Sequence, residues 1–239
     1  MIKLAISGCQ GRMGQRLTAL ALKDKVFKIS ALLESKDRPD VPLLSNNIPI
    51  NFEDAALKGS SVLIEFTTPD ATMAHLKACQ KYGVNMVIGT TGLTQAQMRL
   101  IKKASAKIAV VFSSNMSVGV NLVFGLIRQA AQITGKEYAI TLTETHHVHK
   151  KDAPSGTAKT MAEIAEQFSK TKVKEIESIR EGEVVGDHTI SFESPVDLIS
   201  IRHHAKTRDI FVEGALVAAK FLSKKKKGLF NMQDVLGLK

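Results

Sequence analysis

Short apolar runs alternate with helical patterns along the first half of the chain. The runs predict five strands, at residues 3–7, 28–34, 61–67, 85–90 and 109–113. Apolar residues recur every three or four positions over residues 13–22 and 71–82, and again after a capping box of Thr94 and Gln97. Strands that alternate with helices of this length indicate a parallel sheet covered on both faces. We therefore predict an α/β, doubly wound domain.

The second half has a different pattern. Residues 118–134, 157–168 and 209–222 have helical spacing, whereas residues 138–145 alternate between apolar and threonine positions. Two further strand-like runs, at 188–193 and 197–203, follow each other without a helix between them. Consecutive strands of this kind indicate a smaller α+β domain with a mixed or antiparallel sheet. We place the boundary near residues 115–119, although no linker rich in proline, glycine or serine occurs there.

Composition excludes several classes of protein. Of the 239 residues, 44% are hydrophobic and 23% are charged, a balance that excludes a disordered or fibrous chain. No apolar run approaches the roughly 18 residues that a membrane-spanning helix needs, so no membrane partner is expected. Cys9 and Cys79 are too few for a disulfide framework, and the expectation is a reducing, cytoplasmic protein.

The net charge is +10, and most of the excess lies in the first 139 residues. Three interpretations are open: a nucleic-acid surface, simple solubility, or steering of a small anionic ligand. With two tyrosines and no tryptophan, the chain has little to stack on bases, so a nucleic-acid partner is the least favoured. The lysines at 224–227 follow a predicted helix and fit its solvated C-terminal end.

A glycine-rich turn follows the first strand. Gly8, Gly11 and Gly14 have the spacing GxxGxxG, which is close to a dinucleotide-binding fingerprint but is not GxGxxG. The context favours a cofactor, because a strand precedes the turn, a helix follows it, and Glu34 stands about 20 residues further on. Glycines let the backbone approach a pyrophosphate, and a carboxylate can accept hydrogen bonds from the adenine ribose. The alternative is a glycine-rich turn without a ligand.

Charged residues near Glu34 bear on the choice of cofactor. A carboxylate repels a 2′-phosphate and so favours NADH. However, Lys36 and Arg38 follow at once, and Arg12 lies in the glycine turn, so a 2′-phosphate could find a cationic partner. We therefore predict that NADH and NADPH both serve as cofactor.

Five predicted strand ends meet at one edge of the sheet, which is where ligands bind in doubly wound folds. These ends carry Gly8, Glu34, residues 67–68, residues 89–92 and residues 113–116. The GTTG segment at 89–92 could by itself be a plain strand-to-helix turn. The convergence of five loops is the stronger indication of a site.

Three histidines and a lysine follow the alternating strand, at His146, His147, His149 and Lys150. His147 and His149 would share one face of an extended segment, a spacing found in metal sites. Against a metal, Lys150 would add a cation beside it, and the strand supplies only Glu144 as an acidic neighbour. Proton transfer or anion binding is favoured, since histidine titrates near neutrality and lysine can hold an anion. A surface polar cluster is the third possibility.

A predicted helix starts just beyond this cluster. Pro154 and Ser155 are typical of a helix N-terminus, where Gly156 and Thr157 would offer exposed N–H groups and a hydroxyl. Such a terminus beside Lys150 is suited to binding a carboxylate. The sequence therefore predicts an acidic substrate with a proton donor next to it.

In its motifs, the chain resembles the 4-hydroxy-tetrahydrodipicolinate reductase (dihydrodipicolinate reductase) family. The matching segments are GCQGRMG at 8–14, FTTPDAT at 66–72, VIGTTG at 87–92, SSNMSVGVN at 113–121, ETHHVHKKDAPSGTA at 144–158, REGEVVGDHTISF at 180–192, residues 204–208 and GLFNMQDVLGL at 228–238. They cover most of the chain, and the histidine-rich block is the most specific of them.

The resemblance implies an NAD(P)H-dependent oxidoreductase of diaminopimelate and lysine biosynthesis. Such an enzyme passes a hydride to a cyclic dicarboxylate with loss of water. The resemblance also implies a Rossmann-like cofactor domain at residues 1–116 and 211–239, with a substrate-binding and oligomerisation domain at 117–210. A homotetramer built on the second domain's sheet is implied as well, with the domains closing over both ligands.

The resemblance also implies roles for individual residues. His146 would be the proton donor and Lys150 a second donor, while His147, Gly156 and Thr157 would hold the substrate carboxylates. The residues implied to hold the cofactor are Gly8, Cys9, Gln10, Gly11, Arg12, Met13, Glu34, Gly89, Thr90, Thr91, Ser113, Ser114, Asn115 and Met116. No metal is implied.

Two departures from the family pattern concern the cofactor. Ser35 stands where an arginine often follows the ribose-binding acid, and Met116 stands where an aromatic residue is often found.

Two alternative classes of function would require different residues. A cofactor-sensing module would lack the histidine and lysine donors, and a zinc hydrolase would use His147 and His149 as ligands.

Overall fold

The computed structural model describes residues 1–38 and 40–238; Pro39 and Lys239 lie outside this description. The strands are β1 (Ile2–Ser7), β2 (Phe27–Leu33), β3 (Leu44–Ser45), β4 (Ile48–Asn51), β5 (Val62–Glu65), β6 (Asn85–Ile88), β7 (Ala109–Phe112), β8 (Ala139–His146), β9 (Val173–Arg180), β10 (Asp187–Glu193), β11 (Leu198–His204) and β12 (Gly228–Phe230). The α-helices are α1 (Arg12–Lys23), α2 (Pro69–Tyr82), α3 (Gln95–Ala104), α4 (Val118–Thr134), α5 (Gly156–Ser169), α6 (Asp209–Leu222) and α7 (Met232–Leu236). Across the described ranges, no helix has the length and apolar character needed to cross a membrane.

The described residues form two compact units. Unit 1 comprises Met1–Met116 and Phe211–Val235, and unit 2 comprises Ser117–Ile210 together with residues 236–238. The chain therefore leaves unit 1 after β7 and returns to it at α6.

The last residues group differently from the predicted division, which placed residues 211–239 in one domain. Residues 236–238 belong to unit 2. One contact that holds them there is a hydrogen bond from the Arg128 guanidinium, on α4, to the backbone carbonyl of Leu238.

Unit 1 is built on a twisted, mostly parallel sheet. Its strand order is β12-β7-β6-β5-β1-β2-β4-β3, and neighbouring strands are parallel except for β3 and β4. The central strand β5 is buried along its whole length, as its nearly continuous apolar run requires. This arrangement confirms the predicted doubly wound α/β fold.

The carboxyl ends of five strands lie in one row across this sheet. In the strand register, Leu33 pairs with Ser7, Ser7 with Glu65, Glu65 with Ile88, and Ile88 with Phe112. Each of these residues is the last in its strand. The loops that follow therefore start side by side, at the edge where doubly wound sheets bind ligands.

Unit 2 is built on a four-stranded mixed sheet with the order β11-β10-β8-β9. Strand β8 is antiparallel to β10 and parallel to β9. Every second residue of β8 faces the buried core, which holds Ile140 and Leu142 and also includes the polar side chains of Glu144 and His146. The mixed sheet confirms the predicted α+β character of the second unit.

Several short or charged elements were not predicted. They are the β3–β4 hairpin, the 3₁₀ turn Asp54–Leu57, strand β9, strand β12 and helix α7. Strand β9 has the sequence VKEIESIR and lies at the sheet edge. Its exposed charged residues, Lys174, Glu175 and Glu177, obscure the alternation that would have predicted a strand.

Candidate active site

The glycine turn of unit 1 needs its glycines for different reasons. Gly8 has a φ of +66°, in the left-handed region that disfavours other residues. Gly14 lies so close to the turn that an added Cβ would come within 2.1 Å of the Gly8 carbonyl oxygen. A Cβ at Gly11 would meet the same oxygen at 3.2 Å. The turn is therefore a tight backbone cradle directly after β1.

Helix α1 begins without a side-chain cap, unlike the four α-helices that follow it in the chain. Its N-cap is Gly11, and no side chain accepts a hydrogen bond from its first turn. The hydroxyls that cap α2, α3, α4 and α5 belong to Thr68, Thr94, Ser117 and Ser155. The first-turn N–H groups of Arg12 and Met13 are thus left for an anion, which fits a dinucleotide pyrophosphate.

Other polar groups of the glycine turn are already engaged. The Cys9 amide donates to the Leu33 carbonyl at 3.1 Å, and the Gln10 amide donates to Glu34 Oε2 at 2.9 Å. The Cys9 side chain is fully buried, and burial raises the pKa of its thiol to about 11. The Cys9 side chain is therefore not available to a ligand.

The cations near Glu34 have carboxylate partners. Lys36 forms an ion pair with Glu53 on the surface. Arg38 Nη1 lies 3.4 Å from Glu34 Oε2, and its Nη2 donates to the Gln10 carbonyl at 3.0 Å. Glu34 Oε1 also accepts from the Ser35 amide at 3.0 Å. Two of the three predicted partners of a 2′-phosphate, Lys36 and Arg38, are therefore neutralised locally.

A cleft of about 660 Å³ lies at this edge of unit 1. The residues that line it include Gly8, Gly11, Glu34, Arg38, Thr67 and His75. Its size suits part of a dinucleotide. The structure therefore brings the glycine turn, the predicted ribose-binding acid and the loop after β5 to one cavity.

The loop after β6 lies at the same edge of the sheet. Gly89 packs against the Phe66 ring so closely that an added Cβ would lie 2.1 Å from it. The Thr90 hydroxyl accepts a hydrogen bond from the Thr67 amide at 3.1 Å, which ties this loop to the one after β5. Thr91 next to it is exposed.

The segment after β7 carries the remaining predicted cofactor residues. The Ser113 hydroxyl donates to the Asn115 carbonyl at 2.8 Å, which folds the segment back on itself. Ser114 is exposed, whereas Met116 is only 2% exposed. A buried Met116 leaves little of its side chain to form the wall of a nicotinamide pocket.

A buried carboxylate–histidine pair beneath the cleft escaped the sequence analysis. Glu65, the last residue of β5, is fully buried and accepts a hydrogen bond from His75 Nδ1 at 2.7 Å and another from the Thr67 hydroxyl. His75 Nδ1 is also 3.2 Å from the Ser7 hydroxyl. Burial works against a charged His75, but Glu65 and Asp54 outweigh it and raise its pKa.

A second buried carboxylate lies at the centre of the predicted histidine cluster in unit 2. Glu144 is fully buried and accepts hydrogen bonds from His146 Nδ1, from Arg180 Nη2 at 2.9 Å and from the Ser155 amide at 3.3 Å. Burial alone would raise the pKa of Glu144, but the hydrogen bond from Arg180 and the neighbouring His146 lower it overall. The carboxylate is therefore ionised.

His146 and His188 pack against each other on the buried face of the sheet. Their ring centroids are 4.9 Å apart in an edge-to-face arrangement. Burial lowers the pKa of His146 despite the neighbouring Glu144. Burial, together with the charge of His146, lowers the pKa of His188 to about 4. His188 Nε2 lies 3.1 Å from the Ser155 hydroxyl, and its Nδ1 is a buried nitrogen without a hydrogen-bond partner.

The other predicted residues of the cluster lie nearer the surface. Lys150 is mostly buried and its ammonium pairs with Asp152 at 2.8 Å. His147 Nε2 lies 3.4 Å from Arg208 Nη2, which the sequence analysis had only included in a matching segment. His149 is exposed and lies 3.3 Å from the exposed Glu183.

Helix α5 begins beside this cluster. Ser155 is its N-cap, and the Ser155 hydroxyl accepts a hydrogen bond from the amide of Ala158. Gly156 is the first residue of the helix and is exposed, and Thr157 follows it. Because the Ser155 amide donates to Glu144, one carboxylate connects this helix N-terminus to His146.

The group of residues best placed to bind a metal ion differs from the pair that the sequence suggested. Glu144, His146 and His188 offer ligand atoms within 4.8 Å of one another, whereas the predicted pair was His147 and His149. However, the oxygens of Glu144 already accept hydrogen bonds from His146 and from the Arg180 guanidinium, which would also repel a cation. The donor set suits proton transfer better than metal binding.

Comparison with known proteins identifies the family. Residues 2–116 match the family described as dihydrodipicolinate reductase, N-terminus, and residues 119–236 match its C-terminus. The 4-hydroxy-tetrahydrodipicolinate reductase of Nitrosomonas eutropha is 39% identical over 269 residues and covers 100% of this chain and 99% of that protein. The reductase of Laribacter hongkongensis is 39% identical over 265 residues, with 100% and 99% coverage. A dipicolinate-bound dihydrodipicolinate reductase from Paenisporosarcina sp. TG-14 has the same fold, with a TM-score of 0.85, 24% identity and 98% coverage of both chains. The chain belongs to the dihydrodipicolinate reductase family.

Proposed function

We propose that unit 1 holds the nicotinamide cofactor, that unit 2 holds the substrate, and that His146 supplies the proton of the reaction. As a member of its family, the protein is an oxidoreductase that converts 4-hydroxy-tetrahydrodipicolinate to tetrahydrodipicolinate in diaminopimelate and lysine biosynthesis. The reaction takes up one hydride and one proton and releases one water.

The cofactor residues follow from the cradle in unit 1. The first-turn N–H groups of Arg12 and Met13 would bind the pyrophosphate, and Glu34 would accept hydrogen bonds from the adenine ribose. The remaining contacts would come from the glycine turn, from Gly89, Thr90 and Thr91, and from residues 113–116. When bound, the reduced nicotinamide supplies the hydride.

The substrate residues lie around the N-terminus of α5. Gly156 and Thr157 would present first-turn N–H groups to one carboxylate, and His147 would bind the other beside the positively charged Arg208 guanidinium. Lys150 would reach the site by exchanging Asp152 for the substrate. A dianionic ring would also favour protonated His146, whose pKa is low without it.

His146 then neutralises the electron density that the hydride leaves on the ring. Its Nδ1 is held by Glu144, so Nε2 is the nitrogen that can give up a proton. Lys150 would serve as a second donor. The observation that carries this proposal is the buried carboxylate that links His146 to the carboxylate-binding helix terminus.

We propose that NADH and NADPH both work. Glu34 disfavours a 2′-phosphate, while Arg38 lies 3.4 Å from that carboxylate and can turn to the phosphate. We expect the two values of kcat/KM to differ by less than about a thousandfold, or roughly 4 kcal/mol. Steady-state kinetics with each cofactor tests this, and a larger preference either way contradicts it.

We also propose that the enzyme is a cytoplasmic homotetramer. Support comes from the family pattern and from unit 2, where β11 carries the exposed apolar side chains of Leu198 and Ile199 at the sheet edge. Light scattering of the purified protein measures the assembly, and a monomer would contradict it.

The test of function uses the freshly prepared condensation product of pyruvate and aspartate semialdehyde as substrate. Loss of the absorbance of reduced nicotinamide is expected only when enzyme, cofactor and this product are all present. A chelator and metal analysis distinguish the zinc-hydrolase alternative, which would need a bound metal. A binding module without chemistry would bind cofactor but leave the absorbance unchanged.

A further inference from the structure

We propose that Glu144 is a positioning residue for the reduction: it holds His146 by Nδ1, keeps Nε2 as the proton-exchanging nitrogen, and is itself held by Arg180 and the α5 N-terminus. This inference rests on the proposed role of His146. It adds Glu144 and Arg180 to the functional residues.

The pair is built into one strand. Glu144 and His146 are two residues apart on β8, so their side chains leave the same face of the sheet. Glu144 is fully buried and His146 is 7% exposed. A buried carboxylate is costly without hydrogen-bond donors, and this one has them from three directions: the strand itself, β9 and the helix terminus.

The hydrogen bond fixes the tautomer of His146. An ionised carboxylate only accepts hydrogen bonds, so Nδ1 of His146 must carry its hydrogen. In the neutral ring the lone pair is then on Nε2. A Cβ built on Gly186 would lie 3.1 Å from Nε2, so the glycine at this position keeps the nitrogen uncrowded.

The charges around His146 act in opposite directions on the protonation of its imidazole ring. Glu144 favours the protonated ring, whereas Arg180 and Lys150 disfavour it, and His188 packs against it from β10. Burial is the largest influence against a permanent imidazolium, and the Arg180 guanidinium acts in the same direction while it occupies the other oxygen of Glu144. The guanidinium reaches this position because β9 lies parallel to β8, with Arg180 paired to His146 in the register.

Arg180 also orders the loop that carries Lys150. Its guanidinium donates to the Lys150 carbonyl at 3.3 Å and to the Asp152 carbonyl at 2.5 Å. One arginine therefore fixes both the carboxylate behind His146 and the backbone of the second predicted donor.

The experiment measures the tautomer and the rate separately. In ¹⁵N NMR of the wild-type protein, the His146 signal is assigned by its loss in His146→Gln, and we expect the Nδ1–H form at neutral pH. In Glu144→Gln, we expect the Nε2–H form to appear and kcat to fall by about 10- to 100-fold, within the range of a general acid's contribution. The pH dependence of kcat should also shift, while KM for the cofactor should change little.

Matched variants keep the test decisive. Glu177→Gln makes the same chemical change on an exposed residue of β9 and should leave both tautomer and kcat unchanged. Glu144→Asp keeps the charge and should restore part of the rate. An Nε2–H tautomer in the wild-type protein would overturn the proposal even if Glu144→Gln fails to fold, as would an unchanged rate in that variant. A wild-type protein inactive on the diacid would instead refute the proposed function and leave the tautomer result standing.

Discussion

The two units each bury a carboxylate paired with a histidine, and the two pairs behave in opposite ways. In unit 1, Glu65 lies at the end of β5 and pairs with His75 of α2. In unit 2, Glu144 pairs with His146 of the same strand. Both carboxylates are fully buried, but the pKa of His75 is raised and the pKa of His146 is lowered.

The third charges around each pair account for the difference. His75 faces a second acid, because its Nε2 lies 3.6 Å from Asp54. His146 faces cations instead, since Arg180 and Lys150 both act on it. A carboxylate that has its own arginine holds a histidine without keeping it charged.

The two carboxylate–histidine pairs therefore have different roles. The Glu65–His75 pair ties the end of β5 to α2, and the Thr67 and Thr90 hydroxyls extend the connection to the loop after β6. It therefore holds the loops after β5 and β6 together. In the Glu144–His146 pair, burial lowers the pKa of the imidazole below its ordinary value, so the ring is held by Nδ1 without being kept charged.

The largest expected effect is a difference in kcat between substitutions of His146 and of His75. His146→Gln should lower kcat by about 10²- to 10⁴-fold, because it removes the proposed general acid, while cofactor affinity stays near normal. His75→Gln should lower kcat by less than about tenfold, because it removes no reacting group. Steady-state kinetics at saturating cofactor measures both, and full activity in His146→Gln would reject its role.

The next effect concerns stability of unit 1. Glu65→Gln removes the buried carboxylate that accepts hydrogen bonds from His75 and Thr67, and we expect a loss of about 3 kcal/mol in protection of unit 1 amides. Hydrogen-exchange mass spectrometry on peptides from β1 and β5 measures it. Glu53→Gln, at a side chain that is 71% exposed, is the matched control. Equal effects of the two variants would show that the buried pair does not hold these loops together.

Acid should weaken unit 2. The pKa of His188 is about 4 in the folded protein, whereas its ordinary value is 6.5. Between about pH 4 and 6.5, His188 is therefore protonated in the unfolded chain but neutral in the folded one. Stability therefore falls as pH drops through this window, by about 2 kcal/mol at about pH 5. Hydrogen exchange of β8 and β10 peptides should show the loss. His188→Gln should reduce it, whereas His149→Gln at an exposed site should not.

The smallest effect has the opposite sign and lies in unit 1. The pKa of His75 is raised, so its contribution is fully present below 6.5 and is lost as pH rises through the folded value. Amide protection of β5 should therefore weaken as the pH rises above 6.5 in the wild type but not in His75→Gln. A flat profile in both would remove the contrast between the two pairs.

Much of unit 1 could be predicted from the sequence because its signals are local. The apolar runs of the parallel strands and the glycine turn needed no distant partner to be interpreted. The Glu65–His75 pair was missed because its members are ten residues apart, on a strand and a helix whose packing the periodicity does not reveal. The charged edge strand β9 was missed because its alternation is obscured by lysine and glutamate.

In unit 2, the alternation of strand β8 also indicates which polar residues are buried. The alternation that places Ile140 and Leu142 in the core, continued by two positions at a time, reaches Glu144 and His146. The burial of this pair was therefore predictable. The role of Arg180 was not, because it depends on the register of a strand 36 residues away.

The most direct test of the account is the absorbance of reduced nicotinamide, followed with wild-type enzyme and the fresh condensation product of pyruvate and aspartate semialdehyde. We expect one molecule of cofactor to be oxidised for each diacid reduced, with either NADH or NADPH. No loss of absorbance with either cofactor, from protein that binds them, would contradict it.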